Sequence, residues 1–189
     1  MRRGAVLMAC AAWLLGAGAA AASSPTTFVG DPQTVTIDVT GKVAERCGFS
    51  TPPADQAALG DLTAPGSLNV PFTVDCNTPF RIRAMSSNGG LKTRAANATG
   101  FTNTLDYNLQ LQVGTDAGAL QATCEAGALA GGGGDCAFYG NCAGQGLSSG
   151  EGVALKAPGA LKFNWTAAPK RLVAGTYTDT VTIVVEARS

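Results

Sequence analysis

Apolar side chains recur at every second position in this chain, in runs separated by glycine, proline and asparagine. Leu68, Val70, Phe72, Val74 and Cys76 alternate with polar or small residues, the period-two signature of a strand with one face in a core. Pro71 falls on the opposite face and predicts an edge or strand-start position. After the turn Asn77-Thr78-Pro79, Phe80, Ile82 and Ala84 continue the pattern, with Arg81 and Arg83 expected toward solvent. Leu105, Tyr107, Leu109, Leu111 and Val113 form the longest alternation, and Leu161, Phe163 and Trp165 a shorter one. The last expected strand covers residues 176–188, with Val181, Ile183 and Val185 on one face and Thr178, Thr180, Thr182 and Glu186 on the other. Only Ser189 follows it, so its sheet is expected to receive no later strand from this sequence.

Near the start, Val35, Ile37 and Val39 alternate with Thr34, Thr36 and Asp38, and past Gly41 the same parity continues through Val43, Cys47 and Phe49. Residues 51–65, 114–159 and 167–175 read mostly as loop. Seven or so short strands with turn signals between them and no helical periodicity predict an all-β sandwich.

The first 22 residues change the picture of where this fold forms. Arg2 and Arg3, the apolar run 5–15 and the small residues 17–22 have the order of a cleaved secretory signal peptide. That run is too short and too rich in alanine and glycine for a membrane anchor. Residues 23–189 are then one domain's length. Lysine and arginine total 13 against 13 aspartate and glutamate; without Arg2 and Arg3 the balance is 11 to 13, slightly acidic. No basic patch invites nucleic acid or an anionic membrane surface.

The chain contains no histidine, which excludes Ser-His-Asp and Cys-His chemistry and the commonest metal ligand. Gly146-Leu147-Ser148-Ser149-Gly150 fits the nucleophile-elbow pattern, but the elbow needs a strand before it, a helix after it and a histidine within reach. The acidic residues are scattered, and no enzymatic activity, cofactor or metal is expected. Trp165 and Tyr107 share the parity of Phe163 and Leu109, so they belong to the core rather than to a sugar platform.

Five cysteines follow the leader: Cys47, Cys76, Cys124, Cys136 and Cys142. In an exported chain they predict disulfides. Cys47 and Cys76 each close an expected strand. A bridge between them spans about 29 residues and stabilises by roughly 3.5 kcal/mol in the chain-entropy view. Proximity favours Cys136 with Cys142 for the second bridge, leaving Cys124 as the odd thiol. Irregular spacing without histidine argues against zinc.

Several stretches together resemble the spore coat protein U-like domain of archaic (Csu-type) chaperone–usher pilus subunits. They are the strand ending at Cys47, residues 70–76 with 77–83, the turn at 86–91, Leu105-x-Tyr107-x-Leu109, and the closing Gly175-x-Tyr177-x-Asp179-x-Val181-x-Ile183. The cysteine- and glycine-rich stretch 114–159 departs from that pattern. The resemblance implies an incomplete immunoglobulin-like β-sandwich whose last strand is missing. It implies donor-strand complementation, in which a periplasmic pilus chaperone and then a neighbouring subunit fill the groove at an outer-membrane usher. Residues 23–39 would be the donor extension, with Val35, Ile37 and Val39 as its knobs, and 40–189 the domain; if residues 35–39 instead run unbroken into the strand that ends at Phe49, the donor would lie upstream, around Phe28 and Val29. Tyr177, Val181, Ile183 and Val185 would form the acceptor edge. The implied role is a structural subunit of a surface fibre, in adhesion or biofilm formation, exported through the periplasm to the cell surface. The alternative expectation is a self-contained secreted binding module in which residues 34–39 pair within their own domain.

Overall fold

The computed structural model describes residues 34–131 and 135–188. The expected signal peptide and residues 23–33 of the expected extension lie outside the described residues. The chain divides into two units, Met1–Gly41 and Lys42–Ser189. In the first, residues 34–41 carry no regular secondary structure. Val35, Ile37 and Val39 are 81%, 78% and 89% exposed. The alternation read at 34–39 is therefore not expressed as a strand, and the parity it shares with Cys47 and Phe49 is no sign of one continuous element.

The second unit is all-β among the described residues. Its strands are β1 (Cys47–Thr51), β2 (Gly66–Cys76), β3 (Phe80–Ser86), β4 (Leu91–Lys92), β5 (Phe101–Thr102), β6 (Thr104–Leu105), β7 (Asn108–Thr115), β8 (Gly118–Glu125), β9 (Leu147–Ser148), β10 (Ala154–Trp165), β11 (Arg171–Leu172) and β12 (Val181–Ala187). One 3-10 turn, Ala126–Leu129, follows β8. Two antiparallel, unclosed sheets carry the fold, in the orders β1-β2-β10-β7-β8 and β12-β3-β9. The two-residue pairs β4–β6 and β5–β11, the latter parallel, complete the set.

The core is built by the parity in the sequence. Val70, Phe72, Val74 and Cys76 from β2, Leu109, Leu111 and Val113 from β7, and Leu161 and Trp165 from β10 are buried with Phe80, Ile82 and Ala84 of β3. Gly159 of β10 is there because of its neighbour: a Cβ at this position would run into the Phe72 ring. Gly159→Ala is expected to destabilise the domain by about 1–3 kcal/mol through overpacking, read as a lower urea midpoint at unchanged slope.

Three expectations are corrected by the tertiary structure. First, the stretch 114–159 is not mostly loop. Thr115 and Gly118 close a two-residue hairpin into β8, which pairs with β7 without interruption from Thr115↔Gly118 to Asn108↔Glu125. Leu120, Ala122 and Cys124 carry its inner face, an alternation too rich in small residues to stand out. Leu129 and Phe138, from the same stretch, are fully buried. Second, the long run 105–113 breaks between β6 and β7, because β6 pairs with β4 whereas β7 pairs with β10 and β8. Third, Arg83 does not point to solvent. Its side chain is 13% exposed and its guanidinium donates to Glu186 at 3.3 Å.

The bridge expected between Cys47 and Cys76 is present and joins the two residues that pair across β1 and β2. The second bridge is Cys124–Cys136, which corrects the pairing of Cys136 with Cys142. The β7–β8 hairpin brings Cys124 into the core, and the 3-10 turn returns the chain to it. Cys142 sits in an exposed turn closed by the Gln145 side chain and is a free thiol. Closeness along the chain misjudged closeness in space. Cys136→Ser is expected to cost about 3 kcal/mol on the loop-closure scale, whereas Cys142→Ser leaves the melting temperature unchanged and removes the one thiol among the described residues that a thiol reagent labels in the native domain.

Candidate functional site

The two sheets do not close on the side of β12. β12 pairs with β3 over its whole length, Val181↔Ser86 to Ala187↔Phe80, and its other edge has no strand partner among the described residues. Which backbone groups face that open edge follows from one hydrogen bond. The Ala84 N–H points away from β12 and donates to the Phe138 carbonyl at 2.8 Å. Ile183↔Ala84 is therefore a non-hydrogen-bonded pair. The N–H and C=O of Ile183, and by alternation those of Val181 and Val185, point outward.

Beside this edge runs a groove of about 200 Å3, walled by Leu68, Val70, Leu161 and Phe163 of the larger sheet and by Val181 and Ile183 of β12. Its lining explains an oddity of burial. Val181, Ile183, Leu68 and Phe163 all project toward the core, yet each is only half-buried. Pro53, Ala57 and Leu59, from the connection between β1 and β2, lie along the same groove. β1 covers β2 only from Thr73 to Cys76. The half of β2 that carries Pro71 is thus an edge on that side among the described residues, where a missing N–H costs no ladder bond.

One end of the groove is fixed by a polar cluster that sequence reasoning did not single out. The Asp179 carboxylate accepts from the Tyr107 hydroxyl at 2.7 Å, the Ser86 hydroxyl at 2.6 Å and the Ser87 hydroxyl at 3.1 Å. It also accepts from the backbone N–H groups of Asn88 at 3.1 Å and Thr180 at 2.7 Å. Ser86 in turn accepts the Gly89 N–H at 2.7 Å, in a turn where Gly89 takes a φ of 66° that favours glycine. Burial, together with the hydrogen bond and the negative charge of Asp179, pushes the Tyr107 phenol far above its ordinary value. The only sequence signal for this cluster was the run Tyr177-x-Asp179-x-Val181, which named Asp179 without saying what it bonds.

Of the expected acceptor residues, Val181, Ile183 and Val185 lie on β12, the first two lining the groove, and Tyr177 does not lie on it. Asp179 draws the chain onto the turn after β3, so the strand starts at Val181. Tyr177 precedes it, and its hydroxyl is shared between the carbonyls of Val173 at 2.9 Å and Thr102 at 3.1 Å. Trp165 and Tyr107 are core residues, 5% and 3% exposed; the Trp165 indole donates to the Ala64 carbonyl at 3.0 Å. Ser148 sits on the two-residue β9 with no helix after it, and its hydroxyl accepts the Gly150 N–H at 3.2 Å. Its setting lacks the helix and the histidine that a nucleophile elbow needs. Among the described residues no group of three or more acidic or cysteine side chains is placed to hold a metal ion, and no helix is long and apolar enough to cross a membrane.

What the site can do is set by these features: it offers an unpaired strand edge with an apolar groove beside it, a shape an extended segment can fill. Compared with known proteins, the chain matches no family model and no curated protein.

Proposed function

We propose that this chain is a structural subunit of a pilus- or fimbria-like surface fibre that polymerises by donor-strand complementation. The observation that carries the reading is the groove beside β12, open along an unpaired edge whose Ile183 backbone points outward. The segment with Val35, Ile37 and Val39 supplies a matching donor. It has the parity of a strand, presents its apolar face to solvent, and forms no strand of its own among the described residues. A self-contained module would instead pair residues 34–39 within its own domain.

In this reading the sandwich is immunoglobulin-like and lacks its closing strand. The Tyr177 hydroxyl bonded to a carbonyl four residues upstream, just before β12, supports that, since such a tyrosine corner recurs in immunoglobulin-like sandwiches. A periplasmic pilus chaperone would hold the groove first, and an outer-membrane usher would exchange that strand for the extension of a neighbouring subunit. Two disulfides suit export to an oxidising compartment, and adhesion or biofilm formation is the role of the finished fibre.

Two single variants of the exported full chain test the reading together. Ile37→Asp spoils the donor and keeps the acceptor; Ile183→Asp does the reverse. Wild type is expected to form a ladder of head-to-tail oligomers. Neither variant alone forms a ladder, and an equal mixture gains one donor–groove pairing and no more, because only one good donor meets one good groove. A head-to-tail ladder in either variant alone would refute strand donation through these residues.

A further inference from the structure

The groove is not the only unpaired edge. β8 closes the far side of the larger sheet and is eight residues long. The register between β7 and β8 shows which of its backbone groups are free. The Ala126 N–H donates to the Tyr107 carbonyl, which extends the register Asn108↔Glu125 by one position. Counting back in steps of two, Cys124, Ala122 and Leu120 form the hydrogen-bonded pairs with β7. The N–H and C=O groups of Ala119, Gln121, Thr123 and Glu125 point away from the sheet and find no partner among the described residues.

Sheet edges that stay single are normally protected by charge, proline, a bulge or brevity. β1 is five residues long, carries a register shift at Phe49/Thr51 and runs into Pro52 and Pro53; β9 has two residues. Before its last residue, Glu125, β8 has none of these devices. From Gly118 to Cys124 it contains no charge and no proline, and its ladder to β7 has no bulge. On its inner face Leu120 and Ala122 remain half-buried, as though one more strand were due beside them.

We propose that β8 pairs antiparallel with β8 of a second copy of this chain, about a two-fold axis at Ala122. The small residue then sits where facing side chains come closest, in a non-hydrogen-bonded pair. Gln121 stands opposite the second copy's Thr123, and Ala119 opposite the second copy's Glu125, so all four outward backbone positions of each strand are satisfied. Leu120 covers the second copy's Cys124 position on the inner face. No carboxylate faces another across the axis. The edge thus complements itself, which an unrelated partner would have to match by design. This contact is isologous, whereas strand donation is head-to-tail. It uses the opposite sheet edge and stands whether or not donation occurs; in a fibre it would join two fibres side by side.

The test places like charges across the axis. Gln121 and Thr123 are exposed, so the double variants Q121K/T123K and Q121E/T123E are expected to keep the wild-type melting temperature. Each sets two lysines or two glutamates directly opposite their equals, which opposes pairing. Measured on the exported full chain by hydrogen exchange, the Ala119, Gln121 and Thr123 amides should slow about tenfold as wild-type concentration rises through the pairing range. They should stay fast at every concentration in either double variant. Mixing the two variants should restore the protection and, by sedimentation, the lost association. Protection that does not change with concentration, or survives in the lysine variant, would overturn the proposal; so would a mixture that fails to associate.

Discussion

Removing residues 23–39 is expected to lower the melting temperature of the remaining domain and to make it aggregate, and an added peptide of residues 27–39 is expected to reverse both. The magnitude follows from what a donor strand would bury. Val35, Ile37 and Val39 contribute roughly 1.5–3 kcal/mol each on leaving water. Ladder bonds to the outward groups of β12 add about 1 kcal/mol each. Ordering the segment costs about 1–2 kcal/mol per residue, so the net gain is a few kcal/mol. For a domain of this size, that is a rise of about 10 °C at saturating peptide. The same peptide with Ile37→Asp should give almost none of it. A truncated domain that stays monomeric, melts like the full chain and ignores the peptide would leave the groove without an occupant.

Asp179→Ala should be the most damaging single substitution at the head of β12. The carboxylate is the common acceptor for Tyr107, Ser86, Ser87, Asn88 and Thr180. Tyr107 and Ser86 are buried, so losing the acceptor leaves two buried hydroxyls without their partner. Each stranded group costs about 1–3 kcal/mol, and a total near 4 kcal/mol is expected by denaturant titration. Tyr107→Phe removes donor and phenol together and should cost only about 1–1.5 kcal/mol. The pH dependence has a definite sign. The folded phenol holds its proton far above its ordinary range. From about pH 10 upward the unfolded chain loses that proton while the folded one keeps it. Stability therefore falls as pH rises above that value, and Tyr107→Phe should flatten the fall.

The Asp179 cluster also illustrates where sequence reading stops. Parity placed Val70, Phe72, Val74, Phe80, Ile82, Leu109, Leu111 and Leu161 on core faces because a strand's side chains alternate whatever its neighbours are. The same rule over-extended the last strand to residue 176, since alternation continues through Tyr177 and Asp179 while the backbone leaves the sheet to meet Ser86 and Asn88. It also missed β8. Gly118, Ala119 and Ala122 carry too little hydrophobic contrast to mark a strand that exists because β7 offers it a ladder. Cys124 found Cys136 through that hairpin, although Cys142 is closer to Cys136 along the chain.

By itself the sequence determined the all-β character, the faces that make the core, the Cys47–Cys76 bridge and the strand-like parity at Val35, Ile37 and Val39, all of which depend on spacing within one short run. Tertiary structure alone decided which strands stand at an edge, that the wall beside β12 is left open, and that Asp179 gathers three segments at its head. Those properties belong to pairs of segments far apart in the chain, and no local pattern records which partner is missing.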